Sequence, residues 1–296
     1  MDVATFFIQC LNAVQYGLLL FLVASGLTLI FGIMGVINLA HGSFYMIGAY
    51  LAYGLAPWVE SMFGGGFFAT LALGIVLSAL LGYVLEWMFF SFLYERDHLQ
   101  QVLMTYGLIL VFEALRSLWM GDDVHGVTPP EILSASIALN DVLSYPVYRL
   151  FISAVCLLVL AGMWWVMTRT RLGMRIRAGE SNREMVRALG IPINGLYRIV
   201  FASGVALAAL AGMIAAPISS VYPAMGSSVL IVCFVVVVIG GIGSIKGALV
   251  AALLVGFVDT FGKVLIPEFA GVSVYLLMAV MLLLKPEGLY SVGAKN

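Results

Sequence analysis

Long runs of apolar residues, separated by short polar stretches, dominate the pattern along this chain. A membrane-spanning helix needs about 20 consecutive, mostly apolar residues. Stretches that reach or approach this length are 6–31, 33–58, 67–94, 102–120, 146–168, 196–221, 227–245, 247–266 and 272–284. The pattern predicts an all-α polytopic membrane protein with about nine transmembrane helices. Eight or ten are the alternatives, because the second stretch could form a re-entrant pair instead of one span.

The amino-acid composition indicates that lipid surrounds much of the folded chain. Hydrophobic residues make up 63% of the sequence and charged residues 10%, whereas soluble domains carry about 25% charged residues. Small residues recur every four positions in three of the apolar stretches, where they predict close contacts between helices. These runs are Gly74, Ser78, Gly82; Gly204, Ala208, Gly212, Ala216; and Ala248, Ala252, Gly256. We expect residues 1–296 to form a single membrane domain.

Basic residues are concentrated in one polar loop, 169–198, which holds seven of the fourteen. Cytoplasmic loops of membrane proteins are enriched in Lys and Arg. If 169–198 is cytoplasmic, the alternation of spans also places Arg96, Lys246, Lys285 and Lys295 inside. The opposite loops 60–66, 121–145 and 217–226 contain no Lys or Arg. The charges therefore predict the amino terminus outside and the carboxyl terminus in the cytoplasm.

The sequence contains no motif for covalent chemistry. His41, His98 and His125 are too dispersed for a metal site, and no phosphate-binding G-x-x-x-x-G-K-[ST] motif is present. We predict no catalytic residue, no metal and no nucleic-acid partner. The pairs Glu113/Arg116 and Asp259/Lys263 have the spacing of neighbours on one helix face, where charges in lipid neutralise each other.

One polar set interrupts the apolar stretches where the chain must turn. It consists of Asn38, His41, Ser43 and Tyr45. Irregular backbone at membrane depth is tolerated only where it is buried in protein or lines a cavity. The set is therefore a candidate for lining a translocation path. The structural alternative, compatible with the first, is that Asn38 caps the following helix and His41 bonds to a backbone carbonyl.

The basic loop has helix start and stop signals of its own. Ser181 followed by Glu184 reads as a capping box, with Ser181 as the N-cap. Gly190 suits the left-handed position after a helix, and Pro192 prevents continuation. We predict a short helix over 182–189 with an apolar patch of Met185, Val186 and Leu189. Such a helix could lie on the membrane surface, but its two caps favour a rigid docking surface for a soluble partner.

Three segments together resemble the inner-membrane permease of bacterial branched-chain amino acid ABC importers, and more closely the first of their two homologous permeases. They are GLTLIFGIMGVINLAHGSFYMIGAYLAY (26–53), AGESNREMVRALGI (178–191) and VVIGGIGSIKGALVAALLVG (237–256). The resemblance implies the ABC importer permease fold in the bacterial inner membrane, with the amino terminus periplasmic. It implies as partners a second homologous permease in a heterodimer, two ATP-binding cassette subunits and a periplasmic substrate-binding protein. ATP would be bound by those partners, so no cofactor is expected here.

The resemblance also assigns roles to residues. Glu184 and Gly190 match the E-A-A-x-x-x-G pattern of coupling loops, with Met185 and Val186 replacing the two alanines. Glu180 and Ala188 fall where the family often has an acid and a small residue, and Arg183 and Arg187 would help to position the helix on the ATPase. Gly241 and Gly243 join 38–45 as expected path residues.

The substrate remains open at this point. The same family includes permeases for urea, short amides and small organic or aromatic acids. An ion-coupled secondary transporter is a rival from another class, and a channel is a second. The secondary transporter would call for carboxylates deep in the spans, whereas most acids here lie near span ends or in loops.

Overall fold

A computed structural model describes residues 3–64, 66–94, 96–140 and 143–290. Eleven α-helices and one two-stranded hairpin form in this part of the chain. The helices are α1 Val3–Met34, α2 His41–Phe63, α3 Gly66–Met88, α4 His98–Met120, α5 Val147–Arg169, α6 Arg171–Ser181, α7 Arg183–Ala188, α8 Ile193–Ser219, α9 Met225–Gly240, α10 Ile245–Leu265 and α11 Ala270–Leu284. The strands are β1 Ser136–Asn140 and β2 Leu143–Pro146, and they pair antiparallel.

The fold is that of an all-α polytopic membrane protein. Seven helical segments of the described chain are long and apolar enough to cross a membrane, and they include α1, α3, α4, α5, α8, α10 and α11. Two further predicted spans correspond to α2, with 23 residues, and α9, with 16. Helix α2 is one continuous helix, so the re-entrant pair considered for this stretch is not formed.

Helices α1, α2, α8, α9 and α10 form the packed centre of the molecule. All three predicted runs of small residues are buried there or face it. A Cβ placed on Gly26 would lie 2.6 Å from the Gly204 carbonyl oxygen, and one on Gly256 would lie 2.6 Å from that of Ala13. The predicted close contacts are confirmed: the missing side chains let helix backbones touch.

The chain doubles back between α1 and α2. Helix α1 ends at Met34, yet the first residue of α2, His41, bonds to Val23, well back along α1. Residues 35–38 are neither helix nor strand. This irregular backbone is buried among the central helices, which is the condition under which lipid-embedded proteins tolerate it.

The loop between α4 and α5 contains the β1–β2 hairpin, where the sequence predicted only a loop. A backbone bridge joins His125 of this loop to Val221, with both N–H···O distances at 2.8 Å. The loop is thereby tied to the segment between α8 and α9. Lys295, used in predicting orientation, lies outside the described residues.

Candidate functional site

A cavity of about 570 Å³ with polar residues in its lining opens between α1, α2, α5, α8, α9 and α10. We call it the outer cavity, because it lies at the helix ends that adjoin the loops with no Lys or Arg. Its polar lining comes from several helices and from the α8–α9 segment. These residues are Gln9, Asn12, Gln15, Tyr16, Tyr45, Arg149, Ser219, Tyr222, Asp259, Thr260 and Lys263.

The outer cavity continues inward beside Tyr45. Tyr16, Tyr45 and Tyr222 also line a second cavity of about 180 Å³, which reaches Val23 on α1. The Val23 carbonyl oxygen accepts a hydrogen bond from His41 Nε2 at 3.0 Å. The buried start of α2 therefore lies directly behind the inner end of this space.

Of the four residues between 38 and 45 that were predicted to line a translocation path, one faces the cavities and three do not. Tyr45 lines both cavities, whereas Asn38, His41 and Ser43 are buried in protein. Asn38 Oδ1 accepts from the Ala40 N–H at 3.0 Å, inside the turn. The N-cap of α2 is Ala40 without a side-chain cap, so Asn38 holds the turn and does not cap the helix as predicted. The predicted bond of His41 to a carbonyl is confirmed.

Two buried polar atoms at this turn have no hydrogen-bond partner among the described residues. They are Asn38 Nδ2 and His41 Nδ1. A buried polar atom without a partner costs free energy, about 1–3 kcal/mol. Unpartnered atoms of this kind mark the turn as a place where another arrangement of the chain, or a passing solute, could supply a partner.

Gly241 and Gly243 form the turn between α9 and α10, with φ of 96° and 83°. A Cβ on Gly241 would lie 2.6 Å from the Tyr290 carbonyl oxygen, and one on Gly32 would lie 3.2 Å from the Gly243 Cα. Gly241 thus packs on the carboxyl-terminal segment and Gly243 on α1. Neither glycine lines the outer cavity, so the expected path residues do not form a single cluster.

Sequence reasoning missed the segment between α8 and α9. Ser220 and Ala224 adopt φ of 58° and 61°, the left-handed region that non-glycine residues seldom enter. Between them lies Tyr222, which lines both cavities. Strain of this kind persists where the surrounding structure imposes it, often at functional sites. Neither residue is of a type that favours this conformation, so no local sequence signal marks the segment.

The loop 169–198 forms α6, α7 and the start of α8. The N-cap of α7 is Asn182, whose Oδ1 accepts from the Met185 N–H at 2.9 Å. The prediction of Ser181 as N-cap was wrong, because Ser181 is still the last residue of α6. The Glu184 side chain makes no hydrogen bond among the described residues, so no capping box forms.

The predicted end of α7 is confirmed. Gly190 has φ of 77°, and its N–H donates to the Arg187 carbonyl at 3.0 Å. The Ile191 N–H donates to the Val186 carbonyl at 3.3 Å. This pair of bonds is the Schellman motif, in which a left-handed residue closes a helix.

Helix α7 is six residues long and attached through one apolar residue. Val186 is 3% exposed, whereas Met185 is 58% and Leu189 71% exposed. The predicted apolar patch is therefore split: Val186 anchors α7 to the domain, and Met185 and Leu189 point away from it. Glu184, Arg187 and Ala188 are exposed as well, while the side chain of Arg183 lies outside the described set.

Glu180 is not part of α7. It lies on α6, half-buried, with its Oε1 3.6 Å from where a Gly32 Cβ would stand. Burial raises the pKa of Glu180. It lines a mainly apolar cavity of about 890 Å³ together with Arg177, Gly243 and Lys246. Helix α6, whose N-cap Thr170 accepts from the Gly173 N–H at 3.2 Å, was not predicted.

Several charged residues of the spans form ion pairs. Glu113 and Arg116 are 3.0 Å apart and Asp259 and Lys263 are 2.6 Å apart, as their spacing predicted. Glu86, which has no partner in its own helix, pairs with Arg198 of α8 at 3.2 Å and accepts from the Tyr94 hydroxyl. This last pair ties the start of α8, just after α7, to α3.

The chain belongs to the family of permease components of branched-chain amino acid transport systems, whose family model matches residues 9–284. It is 30% identical to BraD of Pseudomonas aeruginosa, a high-affinity branched-chain amino acid transport system permease protein, over 95% of this chain and 94% of that one. It is 28% identical to the protein of the same description, LivH, of Escherichia coli K12, with the same coverage. A solved structure, PsaBC from Streptococcus pneumoniae in complex with Fab, has a TM-score of 0.46 at 13% identity, covering 92% of this chain and 89% of that one. Such a likeness supports no conclusion about this chain.

Proposed function

We propose that this chain is the permease subunit through which an ATP-driven importer moves branched-chain amino acids across the bacterial inner membrane. It works beside a second homologous permease, with two ATP-binding cassette subunits in the cytoplasm and a periplasmic substrate-binding protein outside. The Pseudomonas and Escherichia relatives are described as permeases of branched-chain amino acid transport systems, which supports branched-chain amino acids as the substrate. The chain itself carries out no covalent chemistry and needs no cofactor, since its partners bind the ATP.

One observation carries the mechanism: α8 joins the two functional ends of the molecule. Its N-cap, Pro192, follows directly on the end of α7, and its last turns, with Ala215 and Ser219, line the outer cavity. Helix α8 is also among the most buried helices, held by backbone contacts to α1 and α2. Displacement of α7 by the ATPase would therefore move one wall of the outer cavity.

The coupling surface in this proposal is the exposed side of α7. The exposed residues Glu184, Met185, Arg187 and Ala188 contact the ATPase in this proposal. Arg183, at the start of the helix, contributes a further positive charge to this contact. Val186 anchors the helix, and Gly190 sets the angle at which the chain leaves it. Glu180 acts from α6, where it faces α1 and the α9–α10 turn.

The translocation path starts in the outer cavity and passes Tyr45. Nine spans, the amino terminus in the periplasm and the carboxyl terminus in the cytoplasm fit the placement of the basic residues. Helices α4, α5 and α11 carry large exposed apolar side chains, including Trp119, Trp164 and Leu283. Lipid and the second permease would cover them.

Reconstitution in proteoliposomes tests the proposal. The chain is co-expressed with its partner permease, the two ATPases and the binding protein encoded beside it, and accumulation of radiolabelled leucine is measured with MgATP supplied on the ATPase side. We expect uptake that needs both ATP and the binding protein. Uptake by the isolated chain, driven by an ion gradient without ATPases, would instead establish a secondary transporter.

A further inference from the structure

The outer cavity contains a guanidinium group that has no carboxylate partner among the described residues. Arg149 lies in the first turn of α5 and lines the cavity. Its Nη1 donates to Asn12 Oδ1 at 2.5 Å, and it interacts with the Tyr145 hydroxyl. The ion pairs of the described chain do not include it. Its neutral neighbours orient the guanidinium but leave its charge uncompensated.

The other charges in the outer cavity cancel. Asp259 and Lys263 are 2.6 Å apart, and the Lys263 ammonium also lies 5.7 Å from the centre of the Tyr16 ring. Arg149 therefore gives the cavity a net positive charge. A cation near lipid without an opposite charge is costly, so such groups generally have a partner or a function.

The rest of the lining is largely apolar. Side chains from five elements contribute: Leu19, Ile152, Ile218, Met225, Val229 and Val264. A solute with one carboxylate and a small apolar body would satisfy both features, with the carboxylate at Arg149 and the body against these side chains. Guanidinium suits this task, because its planar fork matches the geometry of a carboxylate.

We infer that Arg149 binds the carboxylate of the transported solute in the outer cavity, after the binding protein has released it. The substrates of this permease are thereby small apolar carboxylates, amino acids among them. Other members of the family described above transport urea and short amides. These solutes have no carboxylate and would leave Arg149 unpaired. The inference rests on the proposed function as an importer and adds the group that selects the solute.

The test uses the full reconstituted importer with Arg149→Gln and Arg149→Lys variants. Arg96→Gln is the matched control, because it removes one exposed positive charge outside the outer cavity. Leucine uptake is measured over a range of concentrations, alongside stimulation of ATP hydrolysis by the loaded binding protein. The binding protein sets the half-saturating concentration, so a site inside the permease acts on the maximal rate.

We expect Arg149→Gln to lower the maximal uptake rate by about tenfold or more, as the loss of a charged hydrogen bond would. The half-saturating concentration and the stimulation of ATP hydrolysis should stay unchanged, with Arg149→Lys intermediate and Arg96→Gln near wild type. Wild-type uptake by Arg149→Gln would overturn the inference. So would an equal loss in Arg96→Gln, which would indicate a general effect of charge, or lost stimulation of ATP hydrolysis, which would place Arg149 in binding-protein docking. In each of these cases leucine uptake by the wild-type importer would leave the proposed function standing.

Discussion

Gly190 ends α7 in the left-handed backbone conformation. Its φ of 77° is open to glycine and costly for most other residues, and a Cβ added there would meet no atom within 4 Å. Any effect of substitution must therefore come from backbone strain and not from a clash. This makes the position a clean test of whether the end of α7 matters for coupling.

We predict that Gly190→Val uncouples ATP hydrolysis from uptake. The left-handed conformation costs an ordinary L-residue about 1–2 kcal/mol, and a β-branched side chain resists it further, so the end of α7 should rearrange. The ratio of leucine transported to ATP hydrolysed measures the effect. Gly190→Asn is the control, because Asn tolerates this conformation, and it should keep the wild-type ratio. Normal coupling in Gly190→Val would count against α7 as the coupling helix.

The half-buried carboxyl group of Glu180 should make the stability of the folded protein depend on pH. Burial raises its pKa, so the folded protein holds this proton more tightly than the unfolded chain. The free energy of unfolding should then fall as pH rises from the unfolded pKa, about 4.3, toward the raised folded value. The positive groups that face the same cavity are Arg177 and Lys246.

We expect Glu180→Gln to melt above wild type at pH 7, and the difference to shrink as pH is lowered toward 4. Thermal unfolding in detergent across this range measures it. The exposed Glu184→Gln serves as the control and should show no such trend. A difference in melting temperature that grows as pH falls would contradict the assignment of a raised pKa.

At the scale of elements, the helices are held by backbone contacts at small residues. Gly48 of α2 faces the backbone of Ala209 on α8, and a Cβ at Gly48 would overlap the Ala209 carbonyl. Gly212 and Tyr45 meet in the same way one turn further along. Without a strong hydrophobic force between helices in lipid, such packing supplies much of their association.

We predict that Gly48→Ala destabilises the protein by about 2 kcal/mol or more, since overpacking a rigid contact costs about 1–3 kcal/mol. Melting temperature in detergent and the yield of monodisperse protein report it. Gly162→Ala on α5 is the matched control, because a Cβ there meets no atom within 4 Å. If both variants melt alike, the α2–α8 contact is not what holds these helices.

Helix α6 and the residue that caps α7 were not predicted correctly from the sequence, for identifiable reasons. Helix α6 is rich in basic residues, and its sequence has no long apolar run that would predict a helix. Ser181 and Asn182 are both good N-cap residues, and only the continuation of α6 through Ser181 decides between them. Local signals fix that a cap is present, and the neighbouring helix fixes which residue provides it.

For the whole molecule, orientation is the property to test. We predict that alkaline phosphatase fused after Ser134 is active, because the proposed orientation places that loop in the periplasm, and that fusion after Asn194 is inactive. Green fluorescent protein at the carboxyl terminus should fluoresce, as it does in the cytoplasm. Exchanging the reporters at each site gives the complementary control. Active phosphatase at Asn194 would place the coupling segment outside and remove the basis of the proposed function.

The sequence by itself determined the class, the presence of long apolar helices and the end of α7. A lipid environment requires long apolar helices whose backbone groups hydrogen-bond within the helix. Long apolar runs in the sequence reveal such helices directly. Only the tertiary structure decided which side chains meet. Tyr45, Arg149 and Tyr222 line one cavity from two helices and a strained connection, and Val186 is buried while its neighbours are exposed. Which face of an apolar helix turns inward depends on backbone contacts between residues far apart in the chain, and no local pattern records them.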